Sequence, residues 1–409
     1  MSQAAPEGDP LSYIRSAQSI RDRCGDLYKL GLAGALDHFD VRPERLDGIV
    51  SFVRIETNAN YPDLNVPYHS RWRHFNAGDI DRVEGLNELF RELSPKEKCR
   101  AKIELAIVSV LLSTGAGTSW AYQDIDTSIR HKRSEGLALA SLYAFWEGLF
   151  GDSLAVTGAR LKKITVEELG AAFQVSAQNI LPGLEGRCAL LNGLGRAIEA
   201  NKEFFIGSSG RLGGILEVLV ASGNDRSIEA STLLSILLRA FDDIWPNRLT
   251  LRGKNLGDVW RHGKVGGGGE AKGLVPLHTL SQWMAYSLVE PLEEFGIQVK
   301  NLDSLTGLAE YRNGGLFIDG GALTPKDPAA LTISHAPASE LVVEWRALTV
   351  CLLDEVAKRF RAILGKTDAD FCLSKVLQGG TWSAGRKFAA GRRADGSPPI
   401  KIESDGTVF

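Results

Sequence analysis

Apolar positions recur at helical spacing through most of the chain. Leu341, Val342, Trp345, Leu348, Cys351 and Leu352 follow one another at steps of three and four, with adjacent pairs filling in, which stacks them on one helix face. The same period predicts helices over residues 11–23, 43–57, 134–149, 185–201, 211–222, 228–241, 275–295 and 337–363. Two further helix starts are written in capping chemistry. Ser94-Pro95-Lys96-Glu97 sets a hydroxyl acceptor three residues before a glutamate, with proline at the first helical position. Thr165-Val166-Glu167-Glu168 repeats the pattern and opens a helix towards Gln178.

Strand candidates are short and few: Arg248 to Leu251, Gly315 to Ile318, and the ends of the chain. Strands do not alternate with helices, so a parallel sheet of the Rossmann or barrel kind is not expected, and no 20–50-residue period marks a solenoid. The pattern predicts a mainly α-helical, multi-helix globular fold with a few short strands. A soft division falls near residue 150, after LYAFWEGLFGD. It separates an N-terminal helical region, 1–150, from a helical region, 151–409. HGKVGGGGEAKG, from His262 to Gly273, reads as a mobile surface loop or as a lid, because four consecutive glycines order at high entropic cost. It lacks the G-K-[ST] ending of a phosphate loop.

Composition narrows the function classes. With 44% hydrophobic and 24% charged residues the chain can build an ordinary globular core. A formal charge of −3 gives no footprint for nucleic acid or an anionic membrane. The most apolar run, AIVSVLLSTGAG from Ala106, is shorter than the roughly 20 residues that span a bilayer. The opening MSQAAPEGDP has no basic or apolar signal region, and five scattered cysteines show no C-x-x-C spacing. Together they predict reduced thiols in a cytoplasmic protein. The seven histidines show no H-E-x-x-H or similar spacing, so neither a metal nor another cofactor is expected.

Candidate chemistry gathers in a few places. In YHSRWRHF, Pro62 and Pro67 upstream disfavour helix. If extended, His69, Arg71 and Arg73 point to one side and Ser70, Trp72 and His74 to the other. Two guanidiniums and an imidazole would receive a phosphate or carboxylate; a solvated basic edge is the alternative. LSTGAGTSWAYQD, from Leu112, either stops a core helix or brings backbone close to a ligand. In LGDVWRH, Asp258 has Arg261 and His262 at helical pair spacing, which suggests a local ion pair. On the helix over 275–295, His278, Ser281, Gln282 and Tyr286 form a polar stripe that joins a buried network or lines a pocket. Last, LTGLAEYR reads as a short helix that Asn313-Gly314-Gly315 terminates, presenting Glu310 and Arg312 at its end. A carboxylate beside apolar walls has a raised pKa suited to proton transfer, whereas one beside arginine stays ionised.

Taken together, NVPYHSRWRHF, LLSTGAGTSWAY, RSEGLALAS, IWPNR with LGDVWRH, LHTLSQWMAYSL, LTGLAEYRNGGLFID and the terminal LQGGTWSAGRKFA…SDGTVF resemble one family over nearly the whole chain. It is the family of the fourth protein of the URC uracil-catabolism pathway; Ala309 stands where proline is frequent. LTGLAEYRNGGL also resembles the L-T-x-F-A-D-Y-R-x-P-Q segment of queuosine-salvage nucleosidases, helical N-ribosyl hydrolases with a DNA-glycosylase-like fold. Glu310 takes the place of their aspartate, and Tyr311 and Arg312 match directly. The resemblance implies a small ribosylated substrate and release of urea from a ribosylurea or its 5′-phosphate. Glu310 would be the carboxylate, with Asp319 and His278 as further proton-transfer candidates. Arg71, Arg73 and His69 would hold a 5′-phosphate. His74, Gln282, Tyr286, Tyr311 and Arg312 would complete substrate binding. The alternative is a non-catalytic helical module that binds or scaffolds within the same pathway.

Overall fold

A computed structural model describes residues 9–408, apart from 153, 206, 208 and 209. Most of the opening MSQAAPEGDP and the final Phe409 therefore lie outside the described residues. The fold is mainly α. In chain order, the helices used below are α1 (Ala17–Leu32), α2 (Leu46–Asn60), α3 (Trp72–Phe75), α4 (Pro95–Leu111) and α5 (Arg133–Trp146). They continue as α6 (Leu184–Ala200), α7 (Thr279–Glu294), α8 (Tyr311–Asp319), α9 (Glu340–Leu364) and α10 (Trp382–Arg392). Among the described residues the strands pair only two by two. Phe39–Val41 runs antiparallel to Leu323–Pro325, and Val259–Arg261 antiparallel to Leu274–Pro276.

Both hydroxyls cap their helices, but only the second box closes, because the Glu97 carboxylate is taken by Arg100 and Arg211. Ser94 Oγ accepts from the Glu97 N–H at 3.3 Å, and Thr165 with Glu168 closes a complete reciprocal box. The second helix is shorter than expected and ends at Ala172. The helix expected over 11–23 is split, because Ser16 caps a new start and its hydroxyl accepts from the Ser19 N–H. Of the expected strands, Thr250–Leu251 pairs with Lys254–Asn255, and near the C-terminus Lys401–Ile402 pairs with Ser334–His335. Gly315 to Ile318 is not a strand but the middle of α8.

The chain divides into two compact units, each assembled from distant segments. The first gathers Met1–His69, Leu249–Gln282 and Asn301–Glu403; the second gathers Ser70–Arg248, Trp283–Lys300 and Ser404–Phe409. Residue 150 lies inside the second unit.

In the first unit α9 packs against α1, α2 and α8. Most of its apolar stripe is buried: Val342, Trp345, Leu348 and Leu352 are all at most 1% exposed, while Leu341 and Cys351 are half-buried. The terminal LQGGTWSAG forms a π-helical turn, Leu377–Thr381, that runs into α10. Gly380 lies against the Val53 carbonyl of α2, and Gly385 against the Arg312 carbonyl of α8. Any side chain at either glycine would meet backbone, so this motif is spent on close helix packing.

The His262–Gly273 segment is pinned rather than loose. The His262 N–H donates to the Gly273 carbonyl at 2.9 Å, and Arg23 donates to the Gly266 carbonyl at 2.6 Å. Gly267 sits at φ +106° with the Arg23 guanidinium where a Cβ would stand, a position only glycine fills.

In the second unit α4 packs against α5 and α6. It is buried on every side from Ile103 to Leu111, as its unbroken apolar run demands. The loop after it, LSTGAG, is held by Arg187 of α6. That guanidinium donates to the carbonyls of Leu112 (3.3 Å), Thr114 (2.5 Å), Gly115 (3.0 Å) and Pro182. The end of the chain packs here too: Gly183 and Gly186 lie against the backbone of Asp405 and Gly406.

Candidate functional site

The stretch from Leu305 to Leu323 is built around a helix start, where the residue pattern suggested a stop. Glu310 is the N-cap of α8, with extended backbone (φ −104°, ψ 166°). Its Oε2 accepts from the Arg312 N–H and its Oε1 from the Asn313 N–H, both at 2.7 Å. The carboxylate thereby satisfies two of the donors that every helix start leaves open. Gly314 and Gly315 do not end the helix; they are where it touches its neighbours. A Cβ on Gly314 would stand 2.7 Å from the Trp345 ring, whose Nε1 donates to the Gly314 carbonyl at 3.1 Å.

Glu310 is half-buried. Burial pushes its pKa up to about 7, although the N–H groups of Arg312 and Asn313 and the Arg312 charge all pull downward. It therefore changes charge near neutrality. Each oxygen keeps one lone pair beyond its backbone bond. Arg312 is buried, donates to the Gly396 carbonyl at 2.9 Å, and stacks over the Tyr311 ring at 5.2 Å.

The turn before Glu310 is braced from two directions. Gln282 accepts from the Thr306 N–H at 2.8 Å and donates to its hydroxyl at 2.6 Å and to the Leu277 carbonyl at 3.2 Å. Fully buried and committed to backbone, Gln282 positions the segment. Arg346 of α9 donates through Nε to the Ala309 carbonyl at 3.3 Å and through both Nη atoms to Asp258 at 2.8 and 2.7 Å. Asp258 also caps α7 by accepting from the Thr279 N–H at 2.9 Å. The local pair expected between Asp258 and Arg261 or His262 does not form, because Val259–Arg261 is a strand and Asp258 turns inward to Arg346.

The other proton-transfer candidates lie apart from Glu310 in role. Asp319 ends α8, nine residues on, or about 13 Å along the axis. Arg393 grips both its oxygens, at 2.9 and 2.5 Å. His278 is buried with its Nε2 2.9 Å from the Ile14 carbonyl, and burial lowers its pKa. His69, also in the first unit, is buried and bonds through Nδ1 to Gln378 at 3.0 Å. Burial takes its pKa down to about 4, so the ring is neutral at pH 7 and offers hydrogen bonds rather than charge.

The remaining candidates belong to the second unit. HSRWRHF is not extended: Trp72–Phe75 makes one helical turn with Arg71 as its N-cap. The alternation of faces is therefore lost, and the two arginines have different fates. Arg73 pairs with Glu290, which also accepts from Ser70 Oγ at 2.6 Å. Arg71 is fully buried. His74 packs edge-on to Trp283 at 5.6 Å, and Tyr286 is buried on α7. Among the described residues no group of three or more His, Cys, Asp or Glu side chains is placed to hold a metal ion. No helix there is long and apolar enough to cross a membrane.

The profile of one protein family, described as "Protein of unknown function (DUF1688)", matches residues 13–409. The chain belongs to this family. A curated relative from Lachancea kluyveri, named "Uracil catabolism protein 4", is 35% identical over 98% of this chain and 99% of its own length. Another from Schizosaccharomyces pombe, "Protein urg3", is 34% identical with the same coverage of both chains. Family membership thus extends across both units.

Residue patterns alone missed the Arg346–Asp258 pair and Arg187. The signal was present in each: an arginine inside an apolar stripe, as in LVVEWRALTV or RCALLNGL, must find a buried acceptor.

Proposed function

We propose that this protein acts in uracil catabolism as an N-ribosyl hydrolase, splitting a ribosylurea or its 5′-phosphate into urea and the sugar. The observation that carries this reading is the Glu310 carboxylate, fixed by two backbone donors yet pushed up to about pH 7 in its titration. The uracil-catabolism name of the Lachancea kluyveri relative supports the pathway.

The reaction needs a group of this kind. As the C1–N bond lengthens, its electron pair moves to nitrogen and the sugar carbon becomes cationic. An ionised Glu310 stabilises that cation and accepts a proton from the attacking water. Water oxygen bonds to C1, and the proton passes to the departing urea nitrogen, so the products are urea and ribose or its phosphate. Asp319, closed by Arg393, and His278, turned to a carbonyl, take no part in this step.

Incubating the purified chain with ribosylurea and with its 5′-phosphate, and assaying urea and free sugar, tests the reading. Equimolar release from at least one substrate is expected. Saturable binding of either compound without product would establish the chain as a binding module instead.

A further inference from the structure

Three arginines, Arg71, Arg187 and Arg346, lie below 2% exposure and are among the largest fully buried side chains. Enclosing a guanidinium is costly unless its charge and donors are met. Arg346 meets Asp258 through two bonds, and Arg187 spreads its donors over four backbone carbonyls. Arg71 has neither arrangement. Its Nε donates to Ser109 Oγ at 2.7 Å and its Nη1 to the Ser134 carbonyl at 3.1 Å, while its Nη2 has no acceptor among the described residues.

The neutral partners are themselves fixed. Ser109 Oγ lies 2.5 Å from Ser141 Oγ, which donates to the Ala138 carbonyl at 2.8 Å. Each hydroxyl proton therefore points away from the guanidinium, and the relay ends on a carbonyl without supplying negative charge. The Arg71 N–H donates to Ser287 Oγ at 3.0 Å, which locks the backbone. The Trp283 ring covers the guanidinium at 5.4 Å. Glu135 is close enough to favour the charged form electrostatically but is not a hydrogen-bond partner of Arg71. Two residues on, Arg73 is already neutralised by Glu290, so the two arginines are not equivalent.

We propose that the Arg71 guanidinium in the second unit is a receptor for an external oxyanion of the phosphate class, whose oxygen takes the open Nη2 donor. A phosphate oxygen supplies the missing acceptor and the missing charge together. Ser109, Ser134 and Trp283 hold the planar fork in place, so the anion meets a preorganised donor. This site does not depend on the hydrolytic reading: it predicts binding whether or not urea is released.

The test is titration calorimetry of the full chain with inorganic phosphate, and with ribose 5-phosphate against ribose, at constant ionic strength. Saturable binding of both phosphates and not of ribose is expected. Arg71→Met should weaken it by about 10–100-fold, the range of one charge-assisted hydrogen bond, and Arg71→Lys by less. Undiminished binding in a folded Arg71→Met chain, or no saturation in the wild type, overturns the proposal. Should Arg71→Met fail to fold, a wild-type crystal structure grown in phosphate decides. An anion within hydrogen-bond reach of Nη2 supports the site, and density absent there overturns it.

Discussion

Arg346 grips Asp258 with both terminal nitrogens, at 2.8 and 2.7 Å, and reaches with its third donor to the carbonyl of Ala309. One buried side chain thereby ties the start of α7, which Asp258 caps, to the turn that delivers Glu310. Removing either partner strands a charge in the interior. Arg346→Met should destabilise the chain by about 3–5 kcal/mol. Urea denaturation would read this, and Asp258→Leu added to Arg346→Met should recover part of the loss. Full additivity of the two substitutions would dissolve the pair as a unit.

Glu310→Gln tests the carboxylate itself. The amide keeps the size of the side chain but sets an N–H₂ against one of the two backbone donors, so some weakening of the α8 cap is expected, about 1 kcal/mol. Urea release should fall by on the order of 10²–10⁴-fold while thermal unfolding stays cooperative. Turnover within a few-fold of wild type would remove Glu310 from the chemistry and leave it as a cap.

The pH profile follows from the direction of the Glu310 shift. The proposed step uses the ionised form, and burial raises the group to about 7. The rate at limiting substrate should therefore climb with pH on a limb centred near 7 and level off above it. A limb that falls through the same range would mean that the protonated group is the active one.

Glu344 gives a stability signature separate from activity. It is fully buried on α9, and its Oε2 accepts from the His38 N–H at 3.0 Å. Burial raises its pKa to about 7. A carboxyl raised above its unfolded value binds protons more tightly when folded, so its contribution is present at low pH and lost as pH rises through about 7. Glu344→Gln mimics the protonated form. Its Tm relative to wild type should be more favourable at pH 8 than at pH 5, by scanning calorimetry at both.

Gly314→Ala probes whether the α8 glycines serve contact or flexibility. The added methyl would stand 2.7 Å from the Trp345 ring. A loss of about 1–3 kcal/mol from overpacking is expected, and Trp345→Phe should relieve part of it. A neutral or stabilising alanine would show that helix propensity outweighs the contact.

Much of this architecture is legible in the residues because helices announce themselves locally. The stripe from Leu341 to Leu352, the Ser94 and Thr165 caps and the apolar run of α4 rest on spacing and short-range hydrogen bonds. The residues of LTGLAEYRNGG suggest the opposite helix polarity for an equally local reason. Consecutive glycines signal a stop, and glutamate is an uncommon N-cap. Only the Trp345 ring, brought in from α9, turns Gly314 from a breaker into a contact.

Residue order is enough to make the protein mainly helical, to set where most helices begin, and to put charged side chains among apolar ones where they must be answered. It did not determine which partner answers each. Arg71 and Arg73 are the same residue type two positions apart, yet one meets Glu290 and the other meets two serines and an indole. Helix formation depends on neighbours along the chain, whereas desolvation of a charge depends on what the fold places around it. Only the folded surroundings close Asp319, bring Glu310 near neutrality and, among the described residues, leave Arg71 Nη2 without an acceptor.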